Sequence, residues 1–409
     1  MNTTPKRIGI VGTVGVPAKY GGFETLVHHL VLNWKGHIET TVYCSAKAYT
    51  REEQVNDWEG ANIEYIPLKA NGAQSILYDL ISIWRAIRSC DVVLILGVSG
   101  CLFLPIFKMI SKKKIIVNID GLEWRRPKWN WLTKRFLMWS ERMACKFADE
   151  IVTDNRILKE YAKIRYNING RLIEYGADHT TQEKIQYDDT KRYEFLKGPY
   201  AFKVARIEPE NNLHIILQTF AQFPEQNLVI VGNWENSKYG RSLKKYYSQY
   251  EHIYLLDPIY EPKELNLLRS NATYYVHGHS AGGTNPSLVE AMYLNLPVLA
   301  FDVIYNRVTT NNQALFFSDS EELADLLKRI DTLPLKRVAN ALYTYAKKRY
   351  TWKNVANRYA DIALDRHPVL LLPTKQSIKQ EEQNIENQLI VSENDQLKVR
   401  EKEIAHYYK

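Results

Sequence analysis

The chain has 409 residues, of which 45% are hydrophobic and 24% are charged. A chain of this length is predicted to hold more than one domain, and its composition excludes a disordered or collagen-like protein for the bulk of the sequence. The formal net charge of +8 favours an anionic partner, and the sum alone leaves open nucleic acid, a phosphorylated substrate or an anionic membrane surface.

The cysteines and the apolar runs restrict the class of protein further. The four cysteines form no CxxC pair, so the sequence predicts neither a zinc knuckle nor a redox dithiol, and Cys90 and Cys101 are predicted to be buried thiols. This usage fits a reducing cytoplasm. The polar N-terminus predicts no signal peptide, and the longest apolar stretch, residues 92–107, is interrupted and too short for a membrane-spanning helix.

From the N-terminus, strand and helix patterns alternate. An apolar run at 8–12 ends in glycine, and apolar residues recur at helical spacing over 23–34. Further strands are expected at 40–44, 63–67, 92–96, 115–119 and 150–153, and further helices at 75–88 and 133–147. Repeated β-then-α units predict a doubly wound parallel sheet.

A second α/β series follows a polar segment at 179–197, which is predicted to be a linker. Its strands are expected at 200–205, 228–232, 253–256, 272–276 and 297–301, with a helix at 213–223. Because ligands bind at the carboxyl ends of such strands, the prediction is an α/β protein with two Rossmann-like domains facing across a cleft. We expect an N-terminal domain (1–178), a C-terminal domain (179–350), a helix crossing back to the N-terminal domain (351–373), and a polar helical or disordered tail without assigned chemistry (374–409).

The first candidate site is the glycine pair Gly21 and Gly22, which precedes the first predicted helix. Adjacent glycines let the backbone approach a ligand closely, and a helix N-terminus offers unpaired N–H groups to a phosphate. The alternative is a tight turn without a ligand. The spacing is not that of the GxGxxG fingerprint, so NAD binding is disfavoured.

The second candidate site is Arg206, which follows a predicted strand at the mouth of the cleft. Arginine is permanently charged and can hold a diphosphate with two parallel hydrogen bonds. A surface ion pair with Glu208 or Glu210 is the alternative, and it is the better explanation of this arginine taken alone.

The third and most specific candidate is the glycine-rich loop at 277–292, which leads into an apolar helix. One of Thr284, Asn285 and Ser287 is expected to cap that helix, and Pro286 suits its first turn.

Glu290 lies roughly one turn inside the same helix. Its carboxylate is placed to accept hydrogen bonds from two ribose hydroxyls, so that the loop and Glu290 together would hold a nucleoside diphosphate. The alternative for Glu290 is stabilisation of the helix dipole, and the alternative for His279 is a loop residue without a ligand.

Three segments in this order carry a resemblance to a known family: GIVGTVGVPAKYGGFET (9–25), NIDGLEWRRPKW (118–129) and HGHSAGGTNPSLVEAM (277–292), supported by ARIEPENN (205–212). Over residues 7–365 the chain resembles the GT-B retaining glycosyltransferases of family four. More narrowly, it resembles bacterial rhamnosyltransferases of capsule and cell-wall polysaccharide assembly, of the β-1,4-rhamnosyltransferase kind. The resemblance implies a GT-B fold and a glycosyltransferase reaction that retains configuration.

The resemblance also implies roles for individual residues. Gly21 and Gly22 would approach the donor diphosphate, Arg206 would bind it, and Glu290, which matches the second Glu of the family's E-x7-E motif, would hold the ribose. The remaining substrate-binding positions lie in the loop and at the helix start, where backbone N–H groups from Thr284 to Ser287 would face phosphate: His279, Gly283, Thr284, Asn285 and Ser287.

Two positions depart from the family pattern. The first Glu of the motif falls at Gly282, and the lysine usual after the arginine falls at Asn211. Because that Glu normally touches the donor sugar, its loss is compatible with a 6-deoxy sugar. The missing lysine places more of the diphosphate charge on Arg206 and the helix N–H groups, and it leaves open whether Lys203 or Arg307 contributes.

The acceptor side is predicted around Asp120, which follows a buried strand at the sheet edge where active sites form. We expect Asp120 to orient or deprotonate the acceptor hydroxyl and Glu123 to support the site; a turn or capping role is the alternative for Asp120. Residues 112–146 hold ten Lys or Arg against three acidic residues, interleaved with aromatic residues. Such a surface suits an anionic membrane, with RNA or DNA binding and a merely solvated charged face as alternatives.

The predicted reaction transfers a deoxyhexose, L-rhamnose from dTDP-rhamnose, to a lipid-linked saccharide in capsule or cell-wall polysaccharide synthesis. It is expected to need no metal cofactor and to occur in the cytoplasm at the inner face of the cell membrane. Three alternatives stay open: a transferase or epimerase that uses another nucleotide sugar such as a UDP-sugar, a non-catalytic nucleotide-binding scaffold, and a nucleic-acid-binding protein.

Overall fold

The computed structural model describes residues 6–19, 21–126 and 129–366. The predicted tail at 374–409 and the end of the predicted helix at 351–373 lie outside these residues, as do Tyr20, Pro127 and Lys128 of the quoted motifs. Within the described part of the chain, two sheets are present, and both are flanked by helices.

The N-terminal sheet is built from the first eight described strands: β1 (Arg7–Val11), β2 (Glu39–Ser45), β3 (Asp57–Trp58), β4 (Ala61–Ile66), β5 (Val92–Leu96), β6 (Lys114–Asn118), β7 (Glu150–Thr153) and β8 (Arg171–Leu172). They lie in the order β3-β4-β2-β1-β5-β6-β7-β8 and are parallel except for the pair β3 and β4. The helices of this half are α1 (Gly22–Trp34), α2 (Ser75–Ser89), α3 (Leu104–Ile110), α4 (Trp131–Phe147) and α5 (Arg156–Tyr166).

The C-terminal sheet is parallel throughout and has the order β11-β10-β9-β12-β13-β14. Its strands are β9 (Tyr200–Val204), β10 (Asn227–Val231), β11 (Ile253–Leu256), β12 (Tyr274–His277), β13 (Val298–Phe301) and β14 (Leu315–Phe317). The helices of this half are α6 (Tyr187–Arg192), α7 (Leu213–Phe220), α8 (Lys238–Tyr247), α9 (Pro262–Ser270), α10 (Pro286–Tyr293), α11 (Ile304–Thr309), α12 (Ser320–Lys328) and α13 (Leu335–Arg349).

The central strands show why continuous apolar runs predicted parallel sheets. All five residues of β5 are buried, because helices cover both faces of the sheet. The same strand pairs with β1 on one side and with β6 on the other, in parallel register. The α/β fold class with two Rossmann-like sheets is therefore confirmed. All four cysteines are buried free thiols, as predicted for Cys90 and Cys101.

The last described helix, α14 (Trp352–Ala363), packs on the N-terminal half of the chain. The Trp34 indole N–H donates to the Ala356 carbonyl at 3.0 Å, and the Asn118 amide donates to the Tyr359 hydroxyl at 2.7 Å. Helix α14 thus contacts both α1 and the end of β6.

The predicted linker at 179–197 is more ordered than its polar composition indicated. It contains helix α6 and a 3-10 helix at Glu194–Lys197. The Asp189 carboxylate caps α6 by accepting the Gln186 backbone N–H at 2.8 Å, and Phe195 is buried. A local cap and a buried aromatic residue thus give the segment between the two series structure of its own.

Candidate active site

The starts of α1 and α10 face each other across the cleft. Gly21 precedes α1 with φ 128°, and a Cβ there would collide with the Glu24 carboxylate, so this position requires glycine. A Cβ at Gly22 would lie 3.8 Å from Cγ of Pro286, the first residue of α10. The structure therefore brings together the first and third candidate sites of the sequence.

Asp120 lies at the carboxyl end of β6, on the same cleft. Its backbone adopts the left-handed region with φ 57°, and its N–H donates to the Asn118 side-chain oxygen at 3.0 Å. A Cβ at the next residue, Gly121, would lie only 2.9 Å from the Gly282 carbonyl oxygen. The predicted acceptor residue is thus adjacent to the glycine-rich loop of the third candidate site.

Asp154, at the end of β7, makes a second contact with this loop. Its Oδ2 accepts the Thr284 N–H at 3.1 Å, and its backbone carbonyl accepts the Thr284 hydroxyl at 2.6 Å. Its Oδ1 is buried without a hydrogen-bond partner among the described residues. Burial, together with the nearby charge of Asp120, raises the pKa of Asp154 to about 8. Sequence reasoning missed this residue, although it follows a strand just as Asp120 does.

Glu290 is held by two side chains from outside its own helix. Its Oε2 pairs with the Arg269 guanidinium, whose side chain is 3% exposed, and its Oε1 lies 3.4 Å from His179 Nε2. The Trp352 indole, which can only donate, bonds His179 Nδ1 at 2.9 Å. His179 therefore carries its proton on Nε2 and directs it to Glu290.

The electrostatics of Glu290 follow from these partners. Burial alone would raise the pKa of its carboxyl, but the Arg269 charge and the His179 hydrogen bond outweigh burial and lower the pKa to about 2. A carboxylate that is ionised and fixed in this way can accept hydrogen bonds from a ribose. Sequence spacing had no means of identifying Arg269 or His179, because neither lies near Glu290 in the chain.

Arg206 lies in the exposed turn that follows β9. Among the described ion pairs, none joins Arg206 to Glu208 or Glu210, so the alternative of a local surface pair finds no support. The Asn211 amide donates to the Arg206 carbonyl at 2.9 Å, and Asn211 Oδ1 contacts His279 Nδ1 at 3.1 Å. Asn211 thus connects the arginine loop to His279.

The helix start at 284–287 differs from the expected arrangement in one respect. Asn285 is the cap, since its side-chain oxygen accepts the Ser287 N–H at 3.1 Å and the Ser287 hydroxyl at 2.8 Å. The Thr284 N–H is bonded to Asp154. The N–H groups of Thr284 and Ser287, which were assigned to phosphate, therefore bond to side chains in this structure. A phosphate would have to displace those side chains to reach them. Gly283, with φ 94°, holds the loop against Asp154.

Glu123 is part of a support for the N-terminal side of the cleft. It lies in a 3-10 helix at Glu123–Arg125, accepts the Trp129 indole N–H at 3.0 Å and pairs with Arg126 at 2.7 Å. These contacts fix Arg126, whose charge contributes to lowering the pKa of His279. Arg307, the other cation left open by the sequence, pairs with Asp302 through two 2.5 Å bonds.

No group of three or more His, Cys, Asp or Glu side chains that could hold a metal is found in the described residues. The expected independence from metal stays a prediction. A cavity of about 410 Å³ lies elsewhere, beside Tyr274 and Arg337. It is lined by residues from the opposite end of the C-terminal sheet, so we assign the chemistry to the cleft.

The basic and aromatic segment at 112–146 divides into two parts. Trp124 and Trp129 pack against the core of the N-terminal half, and the Trp124 indole donates to the buried Glu141 at 3.2 Å. Trp131 and Trp139, on α4, are 65% and 51% exposed. The alternative that the tryptophans of this segment are core residues therefore holds for Trp124 and Trp129 but not for Trp131 and Trp139.

The exposed tryptophans belong to a wider surface, which we call the α3–α4 face. Arg135 lies over the Trp131 ring at 5.2 Å, and Arg142 lies over the Trp139 ring at 5.6 Å. The neighbouring α3, which packs on α4, exposes further apolar side chains. The exposed apolar residues of the two helices are Ile106, Met109, Ile110, Trp131, Leu132 and Trp139. In the part of the chain that is described, no helix has both the length and the apolarity needed to cross a membrane.

Two family models match the chain. Residues 5–178 match a domain of unknown function, DUF1972, and residues 151–349 match the glycosyl transferases group 1. A comparison with curated proteins finds no match.

Solved structures with the same fold are similar over most of the chain. Sucrose-phosphate synthase from Thermosynechococcus elongatus is 15% identical with a TM-score of 0.72, covering 88% of this chain and 98% of that one. The Anabaena HepE protein in complex with UDP-glucose is 15% identical with a TM-score of 0.66, covering 88% and 100%. The Escherichia coli trehalose-6-phosphate protein bound with UDP-2-fluoro glucose is 11% identical with a TM-score of 0.64, covering 87% and 98%. The fold is therefore that of the GT-B glycosyltransferases.

Proposed function

We propose that this chain, a glycosyltransferase of group 1 by its family match and its GT-B fold, transfers a deoxyhexose to a lipid-linked saccharide, with L-rhamnose from dTDP-rhamnose as the donor. The observation that carries this proposal is the position of Asp120. It is adjacent, through Gly121, to the loop at Gly282 that leads into α10, and its charge acts on Glu24 in the first turn of α1. An acceptor hydroxyl at Asp120 would thus face a donor held by the C-terminal half.

The donor site is supported by groups of opposite character at its two ends. Arg206 and the start of α10 offer positive charge to a diphosphate, and Glu290 offers a fixed carboxylate to a ribose. The reaction then relies on positioning and on stabilising the charge of the leaving diphosphate.

The choice of a deoxy sugar is supported by the surroundings of Gly282. A Cβ at this position would lie 3.1 to 3.3 Å from the ring and hydroxyl of Tyr305, and the Gly121 backbone packs on its other side. A glutamate side chain therefore has little room where the family motif carries its first carboxylate. A tyrosine at this position lacks the two acceptor oxygens with which a carboxylate binds sugar hydroxyls, and this favours a sugar with fewer hydroxyls to satisfy.

The lipid-linked acceptor is supported by the α3–α4 face. Its exposed tryptophans and arginines suit the interface of an anionic membrane, where a polyprenyl-diphosphate saccharide would be presented. We place the enzyme in the cytoplasm at the inner face of the cell membrane. The test is flotation with phosphatidylglycerol vesicles. The double variant Trp131→Ala/Trp139→Ala should lose most of the binding, while Tyr187→Ala, an exposed aromatic on α6, should keep it. Wild-type protein that fails to float at low salt would contradict the membrane assignment.

The donor is tested by a screen of dTDP-rhamnose against UDP-sugars with a synthetic lipid-diphosphate saccharide acceptor, read by mass. A mass increase of one deoxyhexose with dTDP-rhamnose alone would support the proposal. Turnover with a UDP-sugar alone would show that the donor is that UDP-sugar and not dTDP-rhamnose. Nucleotide binding without turnover for any donor would favour a non-catalytic scaffold.

A UDP-sugar donor is the second candidate, and the structural neighbours favour it. The HepE protein was solved with UDP-glucose and the E. coli protein with UDP-2-fluoro glucose. Their low identity to this chain establishes the shared fold alone, so the base and the sugar of the donor are decided by the screen.

A further inference from the structure

The chain crosses between its two halves twice, and the two crossings lie side by side. The first follows β8 and runs through Ala177, and the second leads from α13 into α14 through Tyr350 and Trp352. The Ala177 N–H donates to the Tyr350 carbonyl at 2.9 Å, and the Asp178 carboxylate accepts the Trp352 N–H at 2.7 Å. These hydrogen bonds fix the start of α14 against the segment that enters the C-terminal half.

The Trp352 indole lies at the centre of this junction and is 3% exposed. Its ring packs on the Gly176 backbone, where a Cβ would come within 2.4 Å of the indole. It also stacks on the His29 ring of α1, with centroids 4.4 Å apart and an angle of 13° between the planes. The indole N–H donates to His179 Nδ1 at 2.9 Å. The N-terminal half therefore fixes Trp352, and Trp352 in turn holds one nitrogen of His179.

His179 extends this arrangement to the carboxylate proposed to bind the ribose. Because Nδ1 accepts the indole N–H, the proton of the His179 ring lies on Nε2, 3.4 Å from Glu290 Oε1. Arg269, on α9 of the C-terminal half, pairs with the other oxygen, Oε2. One oxygen of Glu290 is thus held from within its own half, and the other is held from the crossing between the halves.

We propose that His179 is a positioning residue of the donor site: it orients the Glu290 carboxylate for the ribose hydroxyls, and Trp352 orients His179. The inference rests on the proposed function, because it adds to the donor site the residues that hold its ribose carboxylate. Arg269 and His179 hold one oxygen each, and each oxygen keeps a lone pair for a hydroxyl. A carboxylate that is fixed before the ligand arrives loses less entropy on binding.

The test compares nucleotides that differ only in their ribose hydroxyls. The probes are UDP and dTDP, each paired with its analogue that lacks every ribose hydroxyl, and the dissociation constants are measured by calorimetric titration of the full chain. The ratio of the two dissociation constants is the hydroxyl preference. Wild type should bind the natural nucleotide about 10- to 100-fold more tightly than its analogue, because hydrogen bonds to an ionised carboxylate are charge-assisted.

Substitutions of His179 test the positioning role directly. His179→Phe keeps a ring in the junction and removes both nitrogens, so it should lower the hydroxyl preference about 10-fold and leave the affinity for the analogue unchanged. His179→Gln should restore most of the preference, because an amide offers an acceptor to the indole and a donor to Glu290, as the ring does. The control His37→Phe changes an exposed histidine just after α1 and should match wild type.

Two further variants test the partners on either side of His179. Trp352→Phe keeps a ring beside His29 and removes the N–H that Nδ1 accepts, so it should lower the hydroxyl preference about threefold. This variant tests the proposal even if His179→Phe does not fold. In a Glu290→Gln background, His179→Phe should have no further effect on the preference, because the carboxylate that His179 orients is absent.

The outcomes separate this inference from the proposed function. If His179→Phe weakens the natural nucleotide and its analogue equally, His179 supports the fold alone and its positioning role is refuted. If wild type binds UDP or dTDP without a hydroxyl preference, Glu290 does not hold the ribose, and the inference fails while a nucleotide site stands. If wild type binds neither nucleotide, the proposed function fails and the inference fails with it.

Discussion

The buried carboxyl of Asp154 gives a prediction that can be worked out from the structure. Asp154 lies where β7 of the N-terminal half meets the Gly283 and Thr284 loop of the C-terminal half. Its Oδ1 is buried without a partner among the described residues, and burial together with the charge of Asp120 raises its pKa from 3.8 to about 8. We consider the substitution Asp154→Asn, which keeps an oxygen for the Thr284 N–H and removes the ionisation.

The sign of the effect follows from proton linkage. Between pH 3.8 and about 8 the folded protein holds a proton on Asp154 that the unfolded chain has released, so wild-type stability falls as the pH rises through this window. Each pKa unit corresponds to about 1.4 kcal/mol. Over two pH units, from about pH 5.5 to about pH 7.5, full linkage would lower the free energy of unfolding of wild type by nearly 3 kcal/mol relative to Asp154→Asn. Because the residue as a whole keeps some exposure, we expect a smaller decrease of about 2 kcal/mol.

The assay is urea unfolding of wild type and Asp154→Asn across this pH range, with Asp188→Asn as the control. The Asp188 side chain is 88% exposed, so its removal should leave the pH dependence of wild type unchanged. A free-energy difference between Asp154→Asn and wild type that does not change with pH would refute the reasoning, since it would mean that Asp154 is already ionised in the folded protein.

Other substitutions test the remaining parts of the cleft. Asp120→Asn should lower kcat about 10²- to 10⁴-fold in the donor and acceptor assay with normal folding, and near-wild-type turnover would exclude the role of Asp120. Arg269→Met should lower the free energy of unfolding, measured with urea, by about 3–5 kcal/mol, because it leaves the buried Glu290 carboxylate without its main partner. The double variant Arg269→Met/Glu290→Leu should be destabilised less. Equal destabilisation of the two variants would count against a stabilising Arg269–Glu290 pair. Gly121→Ala places a Cβ 2.9 Å from the Gly282 carbonyl oxygen and should reduce turnover with little change in circular dichroism. Its control, Gly198→Ala, has open space around the new Cβ and should have no effect. Full activity of Gly121→Ala would show that the close approach of Gly121 to Gly282 is not needed.

Much of the fold was predictable because its signals are local. The run at β5 is apolar throughout, and the spacing in α1 places its apolar residues on one buried side. The start of α10 was equally readable, since Asn285 and Pro286 occupy the cap and first-turn positions that their chemistry favours. Such features depend on a few neighbouring residues, and composition and order are sufficient to specify them.

The electrostatic partners of the site were not predictable, because they come from distant parts of the chain. Arg269 and His179 reach Glu290 from 21 and 111 positions away, and Asp154 reaches Thr284 from 130 positions away. Only the packing of the two halves makes them neighbours. Asp154 alone had a usable signal, since it follows a buried strand in the same manner as Asp120, and parallel strands end at a common edge.

The ionisable groups of the cleft differ in whether they can change protonation near neutral pH, and this difference decides which of them can gain or lose a proton when a ligand binds. Glu290 is paired with Arg269 and its pKa is lowered to about 2, so this carboxylate positions its surroundings without changing protonation near neutrality. Glu123 is paired with Arg126. Asp154, Asp79 and Lys203 are buried groups whose pKa values, about 8, about 7 and about 7, are shifted towards neutrality. Of these, Asp154 faces the junction of the two halves, where it accepts the Thr284 N–H. A ligand that reaches the loop at Thr284 therefore meets a carboxyl able to release a proton at little cost near neutrality, and the pH dependence of binding should report on Asp154 rather than on Glu290.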